Sequence, residues 1–98
     1  MQLWWLYVVR SADGSLYTGI STDPAARLDK HRSGKGARAL RGKGPMDLAA
    51  FCEVGDRAAA SRAEYAFKQL SKPVKEQTVA GGNRALSAFA HDYSSSPV

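Results

Sequence analysis

The sequence predicts an α+β fold: a three-stranded, mostly antiparallel sheet flanked by helices. Three observations carry this reading. Two apolar runs rich in aromatic and β-branched residues flank a short turn near the start, the pattern of a β-hairpin. A third such run, 46–54, stands alone in mid-chain. The remainder reads as capped helices, with Asp23-Pro24, Asp56, Ser71 and Asn83 each ahead of a helical pattern. A chain of 98 residues suits one domain with a modest core. That domain is assigned to 1–92, and the Ser-rich segment 93–98 is expected to be a flexible tail.

The hairpin is the stretch LYVVRSADGSLYTGIS, residues 6–21, with its first strand over 3–10. A two-residue loop at Asp13-Gly14 would pair Ala12 with Ser15 and put Tyr7 and Tyr17 on opposite faces. A three-residue loop, Ala12-Asp13-Gly14, pairs Ser11 with Ser15 and gives the glycine the left-handed bulge position. It sets Tyr7 opposite Gly19 and Val9 opposite Tyr17, so the two tyrosines share a face as diagonal neighbours. This second register is the one predicted, with a notch beside Tyr7 where Gly19 lacks a side chain. Alternation puts Trp4 and Trp5 on opposite faces. One is expected to pack beneath the helices and the other to be exposed, as a stacking platform or a partner surface.

Next, Asp23 can cap a helix that has Pro24 at its first position and Gly34 just past its end. Leu28, helped by Ala25, is its apolar anchor, and Arg27 and His31 lie on one face, a turn apart. Residues 34–44, GKGARALRGKG, form a Gly-rich loop whose Lys35, Arg38, Arg41 and Lys43 have no acid among them. After the third strand, Asp56 caps a helix over 57–70 that buries Ala63, Phe67 and Leu70. Ser71 starts a short helix, ended by Gly81-Gly82, and Asn83 caps a last one over 84–93.

Charge narrows the function. The formal net charge is +5 and the isoelectric point about 9.7, which points to an anionic partner, nucleic acid ahead of membrane. Cys52 is the only cysteine, so an internal disulfide is excluded and a reducing compartment is favoured. Its apolar flanks read as a small buried strand residue. The start MQLWWLYVVRS lacks the basic segment and cleavage site of a signal peptide. Nothing approaches the roughly 20 apolar residues of a membrane span. The expectation is a cytoplasmic protein with no membrane partner.

One pattern of residues is specific by its order. A strand carries Trp5-Leu6-Tyr7, a turn follows, then Tyr17-Thr18-Gly19, then a helix with Arg27 and His31, then a later helix with Glu64. This arrangement resembles the GIY-YIG endonuclease superfamily over about residues 3–80. It is closest to its small stand-alone members, and is similar to the nuclease module of structure-specific DNA repair enzymes. Trp5 stands where the family's first motif has glycine, and Thr18 where the second has isoleucine.

The resemblance implies hydrolysis of DNA phosphodiesters, with RNA as an alternative substrate, using one divalent ion held by Glu64. Mg²⁺ (or Mn²⁺) suits a site with a single carboxylate, because it keeps several waters. Arg27 would brace the scissile phosphate through its planar donor fork. A tyrosine would act as general base, Tyr17 ahead of Tyr7, with Tyr7 orienting the water or helping to deprotonate it. A free tyrosine has a pKa of about 10 and needs nearby positive charge for this work. His31 would relay the proton or bond a tyrosine hydroxyl. Gly19 would let a phosphate approach the sheet, and Lys35, Arg38, Arg41 and Lys43 would contact the DNA backbone. Two other readings are a non-catalytic nucleic-acid-binding module and an interaction subunit whose protein partner supplies DNA targeting.

Overall fold

The computed structural model describes residues 2–40 and 44–94. Its elements run β1 (Trp4–Ser11), β2 (Leu16–Ser21), α1 (Pro24–Arg32), a 3₁₀ turn (Arg38–Leu40), β3 (Met46–Gly55), α2 (Arg57–Lys68), α3 (Lys72–Ala80) and α4 (Gly82–Ser94). The sheet order is β2-β1-β3, and both pairings are antiparallel. The α+β architecture is as the sequence predicts, and the sheet is antiparallel throughout.

The hairpin register is the predicted one. Tyr7 lies opposite Gly19 and Val9 opposite Tyr17. Ser11 N–H donates to the Ser15 carbonyl at 3.0 Å, closing a three-residue loop. Gly14 takes a φ of +86°, which only glycine adopts freely. Asp13 fixes the turn further, its Oδ1 accepting from Ser15 N–H at 3.0 Å and from the Ser11 hydroxyl at 2.8 Å.

The central strand β1 separates two apolar clusters. Leu6 and Val8 meet Ala50, Cys52, Ala63, Phe67, Leu86 and Ala90 beneath α2 and α4. Tyr7 and Val9 meet Leu28, Leu40 and Met46 on the opposite face, under α1. Phe67 and Leu86 are fully buried. Leu70, expected in the buried stripe of α2, lies just past the helix end and only packs against the cluster. Cys52 is buried as expected, and burial pushes its thiol up to about 11.

Several local expectations are corrected. The anchor of α1 is Pro24, Leu28 and His31, all buried, whereas Ala25 is exposed. Leu40, in the Gly-rich loop, is 2 % exposed and pins that loop into the core. Asn83 lies inside α4, not ahead of it. Its Oδ1 accepts from Phe51 N–H at 2.8 Å, so it satisfies an edge position of β3. Neither tryptophan is fully exposed: Arg57 sits over the Trp4 ring at 5.2 Å, and Trp5 packs on Phe51 at 6.0 Å. The exposed aromatics are Tyr65 and Tyr93. Helix α4 continues through Tyr93 and Ser94, and residues 95–98 of the expected tail lie outside the described residues. Among the described residues, no helix is long and apolar enough to cross a membrane.

Candidate active site

The site forms on the β2 side of the sheet, on the face that α1 covers. Tyr7 comes from the central strand and is 1 % exposed. Its ring lies across Gly19 on β2. A Cβ at Gly19 would stand 2.5 Å from the Tyr7 Oη and 2.7 Å from its Cζ. The notch predicted at Gly19 is therefore filled from within: the missing side chain makes room for the Tyr7 phenol.

Helix α1 supplies the next two groups. Its buried stripe, Pro24, Leu28 and His31, seats His31 over the sheet, and Arg27 lies one turn earlier. His31 Nε2 is 3.0 Å from Tyr7 Oη, and its Nδ1 accepts from Ala37 N–H at 3.0 Å. The Tyr17 ring meets the imidazole edge-on at 5.5 Å, and the two tyrosine rings are 6.5 Å apart.

Electrostatics tie these groups together. Burial pushes the Tyr7 phenol up to about 12; a negative Tyr17 would add to this, Arg27 opposes it, and Glu64 again adds. Arg27 and Glu64 are thus both close enough to be felt at the Tyr7 oxygen. Burial, with the Arg27 charge second, lowers the His31 pKa below its ordinary 6.5. The folded protein keeps His31 neutral at a pH where the unfolded chain protonates it. Its contribution is fully present above about pH 6.5 and is lost as pH falls toward the folded value. The urea midpoint should therefore fall between about pH 7 and 5, by less in His31→Gln. Equal pH dependence in the two proteins would contradict this.

In front of Tyr17 opens a cleft of about 420 Å³, lined also by Arg27, Lys30, His31, Lys35, Gly36 and Ala37. Lys35 is in the cleft. Arg38 is exposed on the 3₁₀ turn beyond it. Arg41 and Lys43 lie outside the described residues. Lys30 went unread in the sequence, although its spacing of three from Arg27 already puts it on the same side of α1. Trp5 stays clear of this cleft, its ring turned to Phe51 on β3.

Glu64 projects from α2 with its side chain 23 % exposed, paired to Lys68 at 3.1 Å. Among the described residues, no group of three or more His, Cys, Asp or Glu could hold a metal ion. That donor set does not suit Zn²⁺, which takes three or four protein ligands. It fits a hard ion that keeps most of its waters and takes one carboxylate, as Mg²⁺ does. The Lys68 ammonium, half exposed, can leave Glu64 at small cost, since such helix pairs are worth about 0.2–0.5 kcal/mol.

Residues 3–77 match the model of the GIY-YIG catalytic domain. A UPF0213 protein of Yersinia pestis (strain Pestoides F) is 53% identical over 90 residues, covering 92% of this chain and 95% of the relative. One from Yersinia pseudotuberculosis serotype O:3 (strain YPIII) is 55% identical over 87 residues, covering 89% and 92%. The solution NMR structure of the UPF0213 protein BH0048 from Bacillus halodurans is similar at a TM-score of 0.53 and 42% identity, covering 86% of this chain and 92% of that one. On these matches, this chain belongs to the GIY-YIG family, a nuclease family.

Proposed function

We propose that this protein is a divalent-metal-dependent endonuclease that hydrolyses DNA phosphodiester bonds. On this reading it is directed by DNA structure, in repair or processing, and works in the cytoplasm. The observation that carries the reading is the convergence on one buried oxygen. Tyr7 Oη bonds His31 and lies within the electrostatic reach of Tyr17, Arg27 and Glu64. A purely structural tyrosine does not need an arginine, a histidine and a carboxylate gathered from two helices.

Each side chain has a task. Arg27 and Lys30 offer donors to the non-bridging oxygens of a phosphate in the cleft, and so counter the charge that builds up there. Tyr17 lines the same cleft and can reach an attacking water, from which it takes the proton. Only the ionised phenol oxygen can accept that proton, and the same cations balance its charge until the proton arrives, while the new hydroxide attacks phosphorus. Tyr7, 1 % exposed and with its phenol pushed up to about 12, stays protonated and acts through its hydrogen bonds. Glu64 would hold the metal ion, which when bound supplies charge neutralisation at the leaving oxygen.

Lys35 and Arg38, with Arg41 and Lys43 of the same segment, are read as contacts to the DNA backbone that carry no sequence preference. Specificity would then follow DNA shape. The Glu64–Lys68 ion pair favours a second reading, a nucleic-acid-binding module in which that carboxylate has only a helix partner.

The test is a panel of end-labelled single-stranded, duplex and branched DNAs, with matching RNAs, incubated with Mg²⁺ or with EDTA. The expected result is Mg²⁺-dependent cleavage, strongest on one DNA shape. Binding that weakens steeply with salt, with no cleavage of any substrate, would support the binding module instead.

A further inference from the structure

His31 has both ring nitrogens engaged, and this decides what it can do for Tyr7. Nδ1 is 3.0 Å from Ala37 N–H. A backbone N–H can only donate, so Nδ1 must be the bare, accepting nitrogen. The proton of the neutral ring then sits on Nε2, which faces Tyr7 Oη at 3.0 Å. Gly36 holds the arrangement in place. A Cβ there would stand 2.0 Å from His31 Nδ1 and 2.9 Å from its Cα, so glycine alone lets the loop close over the imidazole. The loop is in turn anchored by Leu40, 2 % exposed.

We infer that the Gly36–Ala37 backbone is a positioning device: it locks His31 as its Nε2–H form, so that His31 donates to Tyr7 and does not serve as its base. The hydrogen-bond chain then runs one way, from Ala37 N–H through His31 to Tyr7 Oη. The Tyr7 hydroxyl hydrogen is turned away from His31. Arg27, also felt at that oxygen, can only donate, and the Tyr17 ring lies 6.5 Å from that of Tyr7. Its consequence for catalysis rests on the nuclease reading. Tyr7 becomes a donor toward the cleft, able to support negative charge on Tyr17, and the proton taken from water does not travel to His31.

The lowered His31 pKa agrees with a ring kept neutral by burial, although the assignment stands on the two contacts. The first test is independent of activity. In ¹⁵N-histidine-labelled protein above pH 7.5, His31 Nδ1 should show the shift of an unprotonated nitrogen and Nε2 that of a protonated one. The reverse pattern, or an averaged pair of shifts, would overturn the inference. Gly36→Ala should lose this signature while the amide spectrum of the sheet is retained; an unchanged signature would show that Gly36 does not position the ring.

The second test reads the role. Glutamine can place an N–H₂ donor near the Nε2 position but cannot take up a proton. His31→Gln should cleave within about tenfold of wild type, whereas His31→Ala should lose about a hundredfold or more. Equal loss in both would mark His31 as a proton acceptor and contradict the inference. If the tautomer is as stated but wild type cleaves no nucleic acid, the hydrogen-bond chain stands and the nuclease reading falls.

Discussion

Glu64→Ala should lower the cleavage rate at least about a thousandfold, because a metal ion on the leaving oxygen is worth several kcal/mol. The fold should be nearly unaffected. Glu64 is partly exposed, and the interaction lost is its ion pair with Lys68, worth about 0.2–0.5 kcal/mol. The check is a single-turnover rate in Mg²⁺ beside a urea unfolding curve. Full activity in this variant would remove Glu64 as the metal-holding residue. A large stability loss would make it a structural one.

Gly19→Ala should damage both stability and activity, for a reason that lies on the opposite strand. The added methyl would sit 2.5 Å from the Tyr7 Oη. A flexible surface side chain would swing aside, but Tyr7 is 1 % exposed, and its hydroxyl is held by His31 at 3.0 Å. Either the ring leaves its place or β2 moves. Overpacking of this kind costs about 1–3 kcal/mol, and the Tyr7–His31 contact goes with it. A drop of about a hundredfold in cleavage is expected, together with a lower urea midpoint. Tyr7→Phe in the Gly19→Ala background should recover part of the stability, because the hydroxyl is the nearest atom, but none of the activity. A fully stable Gly19→Ala protein would show that the phenol is not confined as described.

Much of this site can be read from local rules in the sequence. The turn Ala12-Asp13-Gly14 fixes the hairpin register, because glycine must take the left-handed position, and that register puts Tyr7 opposite Gly19. Asp23 and Pro24 start α1 where expected, which sets Arg27 and His31 a turn apart. What the sequence hides is tertiary. That Gly19 makes room for the Tyr7 phenol is hidden, because nothing local says that the ring crosses the neighbouring strand. Leu40 lies in a stretch of glycines and cations, so its burial has no periodic signal. Asn83 has the composition of a helix cap, yet its partner is the backbone of a strand far away in the chain. Gly36 and Ala37 look like loop residues, and their use is visible only once α1 and the loop are folded against each other.

The measurement that tests the central claim most directly is single-turnover cleavage of the preferred DNA in Mg²⁺ by Tyr17→Phe, with wild type purified in parallel. Removing the hydroxyl from the cleft leaves the fold and the basic surface in place. Wild type should cleave, and the variant should lose about a hundredfold or more in rate with DNA binding retained. Equal cleavage by the two proteins would contradict this, since the activity would then come from elsewhere than the tyrosine cluster beside β2.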